Sequence, residues 1–407
     1  MQLFLKKQWH ILSLLSFYLV NLFSQPGELV VVIMIKNESE KILQTLQPYA
    51  DGEITRMVVL DTGSTDDTIT KVRSFFKKNS KITGYLFEQP FVNFAVSRNY
   101  AIECAERCFQ DACFLFMPDA EWYMQNVKGL KQFCYDHAKE LTASYLVKIR
   151  NDKCNFDFYV QRLFRAHKGI RFKGAVHETI FPSTNAKVPD NIYISWDPSD
   201  SGNKKSQQRW HRDKNLLLQE LEQNPNDTRA TFYLAQTYSG LEDTQNAILY
   251  YKKRCEMTDD WSEETFIANY RLGVIYEQIK DWDNALHYFL KAYNMRPHRA
   301  EPLVHLASYY CTQKQFALAF LFAFAAAGIS YPETDILFIE KELYDYTRYD
   351  ILSCVAFYMH QYQIGKDATL EALKVRPGSP HLAKNLSIYN STLAKLGNQP
   401  RTSTRRR

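Results

Sequence analysis

Seven consecutive apolar residues, Leu29-Val30-Val31-Val32-Ile33-Met34-Ile35, are followed at once by Lys36-Asn37-Glu38. A run with no polar alternation has no solvent face, so it reads as a strand covered on both sides, the environment of a central strand in a parallel sheet. Such a strand needs helices above and below it. The sequence supplies them in alternation: a helix over 40–46, a second apolar strand over 57–60, a helix over 69–77, a third strand over 84–88, a helix over 97–108 and a fourth strand over 113–117. This order predicts a doubly wound α/β domain whose ligands meet the carboxyl ends of the strands.

The remaining chain needs a second core, because 407 residues exceed the roughly 250–300 that one core supports. Hydrophobic residues at 45% and charged residues at 23% are the balance of a globular protein. The net charge of +5 is small and owes part of its excess to Arg401, Arg405, Arg406 and Arg407, so no nucleic-acid partner is read from it. The eight cysteines show neither a C-x-x-C pair nor zinc spacing and read mostly as buried thiols. Lys6 and Lys7 precede an apolar stretch over 11–23 that Ser24-Gln25-Pro26-Gly27 ends. That is the layout of a signal peptide or short signal anchor, shorter than the roughly 20 residues a bilayer span requires; a buried or amphipathic N-terminal helix is the alternative. The expected division is 1–25 signal or anchor, 26–205 α/β domain, 206–395 helical repeats and 396–407 disordered basic tail. Membrane association or entry to the secretory pathway follows from the first segment, and a cytoplasmic location otherwise. The sequons at Asn226, Asn385 and Asn390 would matter only in a secretory lumen.

After residue 206 the strand pattern stops. A small residue, an aromatic or Met three positions later and an Ala twelve positions later recur as Ala235, Tyr238, Ala247; Gly273, Tyr276, Ala285; Ala307, Tyr310, Ala319; and, more weakly, Ala356, Met359, Ala368. A period near 34 with small residues where two helices approach resembles the tetratricopeptide repeat, over about 226–380, with Pro297 and Pro377 where helix pairs should end. The resemblance implies an all-α docking region for an acceptor or protein partner; an irregular helical bundle is the plainer reading.

Three groups of residues in the first 200 carry chemistry, each expected at a carboxyl strand end. Asp61-Thr62-Gly63-Ser64-Thr65-Asp66-Asp67-Thr68 closes the second strand beside Asn37 and Glu38. A carboxylate there can accept hydrogen bonds from a base or ribose, Gly63 permits a tight turn, and Asp66 or Asp67 can cap the next helix. The segment resembles the Asp-x-Gly-Ser-x-Asp-x-Thr motif of the GT-A fold glycosyltransferases of family 2, over about 28–180. The resemblance implies a Rossmann-like nucleotide-diphospho-sugar transferase domain in which Asn37, Glu38, Asp61, Gly63 and Ser64 bind the nucleotide of a donor, a UDP-sugar first among the candidates.

The second group is Pro118-Asp119-Ala120-Glu121-Trp122. Two carboxylates with one spacer can take one face of a divalent cation, Mn2+ or Mg2+, which neutralises a diphosphate leaving group. The family has Asp-x-Asp there, and Glu121 departs from it by one methylene; a solvated acidic turn is the plain alternative. The third group is Arg162-Leu163-Phe164-Arg165 with Gly174-Ala175-Val176-His177-Glu178. Basic residues would hold phosphate, with Arg165 assigned to the donor. The resemblance implies His177 as a third metal ligand or phosphate contact and Glu178 as base on the acceptor hydroxyl; a surface ion pair is the alternative. Arg98, in Ser97-Arg98-Asn99, either faces the nucleotide, as the family implies, or pairs with a carboxylate.

The expected activity is inverting transfer of a sugar to an unidentified glycan, lipid or protein hydroxyl, with Asp119 and Glu178 in the catalytic roles. A nucleotidyltransferase is disfavoured because no Gly-rich, Lys-containing loop follows the first strand. A repeat scaffold whose α/β domain has lost activity is the alternative outside enzymes.

Overall fold

The computed structural model describes residues 27–151, 156–196, 202–257, 262–335 and 337–397; the expected signal or anchor and nearly all of the basic tail lie outside them. Among the described residues no helix is long and apolar enough to cross a membrane. The chain divides into two compact units, Met1–Pro225 and Asn226–Arg407.

In the first unit, β1 (Leu29–Ile35), β2 (Arg56–Asp61), β3 (Thr83–Glu88) and β4 (Phe114–Phe116) alternate with α1 (Ile42–Asp51), α2 (Thr68–Lys78) and α3 (Phe94–Cys108). The strands lie parallel in the order β3-β2-β1-β4. Both faces of β1 are covered, as its unbroken apolar run requires. Val31, Ile33 and Ile35 pack with Leu46 and Tyr49 of α1 and Val72 of α2, while Val30 and Val32 pack with Ala101, Ile102 and Ala105 of α3. Helix α1 continues past residue 46, through Pro48, because Tyr49 extends its core face and is wholly buried.

Beyond β4 the sheet is mixed. Strands β5 (Trp122–Gln125), β6 (Ser144–Asn151), β7 (Phe156–Arg165) and β10 (Tyr193–Trp196) complete the eight-stranded order β3-β2-β1-β4-β7-β6-β10-β5. Strand β7 runs antiparallel to β4 and β6. Helix α4 (Val127–Asp136), a two-stranded sheet of β8 (Phe172–Lys173) and β9 (Thr179–Ile180), and helix α5 (Gly202–Gln223) finish the unit. Winding proceeds outward from β1 to β3, and then α3 returns the chain to β4 on the other side of β1. The carboxyl ends of β1 and β4 therefore part at a topological switch point, where open α/β sheets bind ligands.

The second unit contains helix pairs α6 (Thr228–Gly240) with α7 (Thr244–Glu256), α8 (Ser262–Gln278) with α9 (Trp282–Met295), α10 (Glu301–Thr312) with α11 (Phe316–Ala327), and α12 (Arg348–Val355) with α13 (Tyr362–Val375), followed by α14 (Pro380–Gly397). The small residues fall where the members of a pair meet: a Cβ on Gly273 would lie 2.6 Å from the Phe289 ring. Each aromatic of the first three repeats stacks on a second aromatic twelve positions on, Tyr238 on Tyr250, Tyr276 on Tyr288 and Tyr310 on Phe322, with ring centroids 5.5–5.7 Å apart. The fourth repeat has Met359 and Glu371 at these positions and lies beyond an insertion over 328–347 that ends in a π-helical turn, Leu343–Thr347. Seven described cysteines are free thiols; Cys104 and Cys134 are buried, but Cys354 is exposed and the others are half-buried, so burial is less general than expected.

Candidate active site

The carboxyl ends of β1 and β2 are knitted together by backbone-to-side-chain bonds. Asp61 Oδ2 accepts from the amides of Gly63 and Ser64 at 2.9 and 2.8 Å, which curls the loop into a tight turn. Gly63 adopts φ +103° with open space around it, so its conformation and not crowding demands glycine. The Asn37 amide donates to Ser64 Oγ at 2.8 Å, and Asn37 Oδ1 accepts from the Thr65 amide at 2.7 Å. The Glu38 amide donates to Thr68 Oγ1 at 2.8 Å. Asn37 sits at φ +54°, a left-handed conformation that asparagine tolerates better than most residues. Asp66 accepts from the hydroxyl and amide of Thr68, and these bonds hold its carboxyl down to about 2. Asn37, Ser64 and Asp66 thus shape the loop, while Asp61 keeps its other oxygen, Oδ1, buried and without a hydrogen-bond partner.

On the other side of β1, an isolated parallel bridge joins Met34 to Asp119, so Asp61 and Asp119 flank the end of the same strand. The Thr45 hydroxyl of α1 donates to the Ala120 carbonyl and fixes the acidic loop from below. Helix α3 then delivers Arg98. Its Asn93 cap accepts from the Val96 amide, and Asn99 holds the backbone of Phe172 with two bonds of 2.8 and 3.0 Å. The loop between β8 and β9 is tied to the same helix by the Phe94 amide on the Ala175 carbonyl at 3.1 Å.

These elements bring four ionisable side chains into one cluster. Arg98 donates through Nε to Glu178 Oε1 at 2.6 Å and through Nη2 to Asp119. Arg162 donates to Glu178 Oε1 at 3.0 Å and stands 3.9 Å from Asp119. Both guanidinia lie against the Phe172 ring, and Arg162 also against Trp122. Only Asp119 is substantially exposed, at 32% of its side chain, against 4%, 11% and 6% for Arg98, Arg162 and Glu178. Burial works against the Arg98 charge, but Asp119 and Glu178 restore it and raise the guanidinium above its ordinary value. Arg162 is lowered, by burial and then by the like charge of Arg98. Burial would push the Glu178 carboxyl up, yet the two guanidinia outweigh it and hold it near 2. Arg98 Nη1 and Arg162 Nε remain buried without an acceptor, an unusual condition that points to an unfilled bonding role.

Three sequence assignments change. Arg165 is not beside the donor site: β7 runs antiparallel, Arg165 pairs with Phe114 at the amino end of β4, and its guanidinium donates to the carbonyls of His137, Ala138, Glu140 and Thr142. The third group therefore reaches the site through Arg162 and a returning loop instead of a carboxyl strand end. Glu178 is the counter-ion of two guanidinia, and a carboxylate held near 2 is a weak base. His177, exposed at φ +52°, does not join Asp119 and Glu121, because among the described residues no three His, Cys, Asp or Glu side chains form a metal-holding group. What remains for a cation is Asp119 with the exposed Glu121, two hard oxygen donors. Magnesium-type ions accept such an open set when phosphates and water complete it, so the residues present fit the group in that form.

The fold and site together define a Rossmann-like α/β domain, with two buried guanidinia beside Asp119 and Glu178 at its switch point, followed by a helical repeat unit. Residues 30–171 match the family model of Glycosyl transferase family 2, and residues 267–299 that of Tetratricopeptide repeat. The chain thus carries a family-2 glycosyl transferase domain and a tetratricopeptide repeat region. No curated protein matches the chain. Similar solved structures include YrrB, a TPR protein with an unusual peptide-binding site, at 16% identity over 44% of this chain and 84% of that one, with a TM-score of 0.35. MamA protein gives 16% identity over 43% and 86%, with a TM-score of 0.33. The C-terminal part of a TPR repeat-containing protein from Cytophaga hutchinsonii gives 13% over 48% and 70%, with a TM-score of 0.36.

Proposed function

We propose that the first unit transfers a sugar from a nucleotide-diphosphate donor, a UDP-sugar first among the candidates, to an acceptor hydroxyl with inversion at the anomeric carbon. The observation that carries this reading is the pair of buried guanidinia, each with an N–H lacking an acceptor, beside Asp119 at the switch point. Arginine matches phosphate oxygens with a fork of donors, and donors fixed before the reaction favour the charge that develops on a departing diphosphate. Asp61 would accept from the nucleoside, a role supported by its one unpaired oxygen. A divalent cation, held by Asp119 and Glu121, would add charge neutralisation of the diphosphate when bound. The repeats would dock an acceptor or partner protein.

The test is hydrolysis of a panel of UDP-, GDP- and dTDP-sugars by the full chain, with and without manganese, beside Asp119→Asn. Release of a nucleoside diphosphate that the variant loses by 100-fold or more supports transfer; enhancement by manganese supports the cation. A second reading, a repeat scaffold without catalysis, draws on the engagement of Asp119 by Arg98. It is favoured if no donor is either hydrolysed or bound.

A further inference from the structure

With Glu178 committed to two guanidinia, the attacking hydroxyl needs another base, and α5 carries a buried carboxylate beside the loop that ends at Glu178. Glu220 of α5 accepts from the Ala175 amide at 2.8 Å, and Arg212 lays its guanidinium on the Phe91 and Phe94 rings, 5.6 and 5.0 Å from their centroids. The helix is therefore fastened to both segments that lead into the cluster, the start of α3 and the loop that ends at Glu178. Asp213 lies seven residues before Glu220, two turns along the same face, with only 8% of its side chain exposed. The loop anchored at Glu220 ends at Glu178, whose negative charge acts on Asp213.

Resting on the transferase reading above, we propose that Asp213 is the general base that accepts the proton of the acceptor hydroxyl, while Glu178 positions Arg98 and Arg162. In the step, the hydroxyl oxygen bonds to the anomeric carbon, the bond from that carbon to the phosphate oxygen breaks, its electron pair leaves with the diphosphate, and the proton passes to an Asp213 oxygen. The charged groups around Asp213 are Arg212, whose guanidinium donates to Oδ1 at 3.0 Å, Arg209 one turn back, and Glu178 across the loop. Burial, chiefly, and the Glu178 charge raise its carboxyl above the ordinary range against the pull of the two arginines, which makes it the stronger base of the two carboxylates.

The test uses the full chain and whichever UDP-, GDP- or dTDP-sugar the wild type hydrolyses, with water as acceptor, beside Asp213→Asn and Glu178→Gln. For Asp213→Asn, kcat falls by roughly 10²–10⁴-fold, while the Kd for the nucleoside diphosphate stays within about twofold by calorimetry. Azide, a nucleophile with no proton to lose, restores its turnover and yields the glycosyl azide. The acid limb of the wild-type pH profile, placed above the ordinary aspartate range, disappears in the same variant. Azide does not rescue Glu178→Gln, whose defect lies in diphosphate binding. Hydrolysis by Asp213→Asn within threefold of wild type overturns the assignment, as does a loss shared with diphosphate binding and not restored by azide. Failure of the wild type on every donor overturns the transferase reading itself, and the base with it.

Discussion

Buried arginines fall into two kinds: Arg299 in the repeats and Arg165 in the α/β unit are saturated, whereas Arg98 and Arg162 are not and stand between carboxylates. Arg348 in the repeats also has an unpartnered Nε, but the bonds it makes go to carbonyls and to the Tyr349 hydroxyl. In the repeats, Arg299 is wholly buried with all three nitrogens engaged: Nε on Glu301, Nη1 on Asp335 and the Leu337 carbonyl, Nη2 on Glu301 and the Phe338 carbonyl. In the α/β unit, Arg98 and Arg162 each keep a buried N–H without an acceptor. A saturated guanidinium is a fastening, whereas an unsaturated one held between carboxylates is poised for an anion. Stability and binding should separate along that line.

The largest effect expected is Arg299→Ala, which leaves Glu301 and Asp335 buried without their cation. A loss of about 3–5 kcal/mol in denaturant unfolding follows, with nucleoside diphosphate binding intact; a loss under 1 kcal/mol would break the comparison. Next comes acid. The Glu178 carboxyl is depressed from 4.5 to about 2 in the folded chain, so between these values the unfolded chain binds more protons and stability falls as pH falls. Wild type should lose roughly 2–3 kcal/mol across that window, and Glu178→Gln should flatten the slope. Arg98→Ala removes charge-assisted bonds worth roughly 1.5–3 kcal/mol, which is about 10- to 100-fold in the Kd for a nucleoside diphosphate; unchanged affinity would mark the cluster as another fastening. The smallest effects concern two glycines. Gly63→Ala strains a φ of +103° by roughly 1–2 kcal/mol and should weaken nucleotide affinity. Gly273→Ala, pressed on Phe289, should cost about 1–3 kcal/mol and lower only the repeat unit's melting temperature.

Legibility followed burial. Strands β1 and β2 announced themselves because both faces are covered and their residues are continuously apolar. Strands β5 to β10 are shorter or antiparallel, and their half-exposed alternation does not stand out from loop sequence. The motif at 61–68 falls on the loop at the carboxyl ends of β1 and β2, where the Asn37 and Ser64 side chains bond to the loop itself. The exchange of Arg165 for Arg162 was recoverable from strand periodicity. Residues 162 and 164 share one face, with Phe164 in the α3 core, while 163 and 165 share the other. No local pattern marks Asp213, a lone acid on a polar helix whose setting depends on contacts with residues far away in sequence. In the repeats, the small-residue rule found the helix pairs; the second aromatic, twelve positions after the first, was a legible signal left unused.

The insertion over 328–347 changes how the repeat unit should come apart. In a simple solenoid each repeat touches only its neighbours, and ends fray one unit at a time. Here the Leu337 amide donates to Glu263 at 2.7 Å, at the first turn of α8, while Arg299, just ahead of α10, grips Asp335 and the carbonyls beyond it. A segment that follows the third pair is thereby buckled to the beginning of the second. The two middle pairs gain a common latch, so α8 and α10 should open together, with matched hydrogen-exchange free energies, while α14 at the end opens on its own.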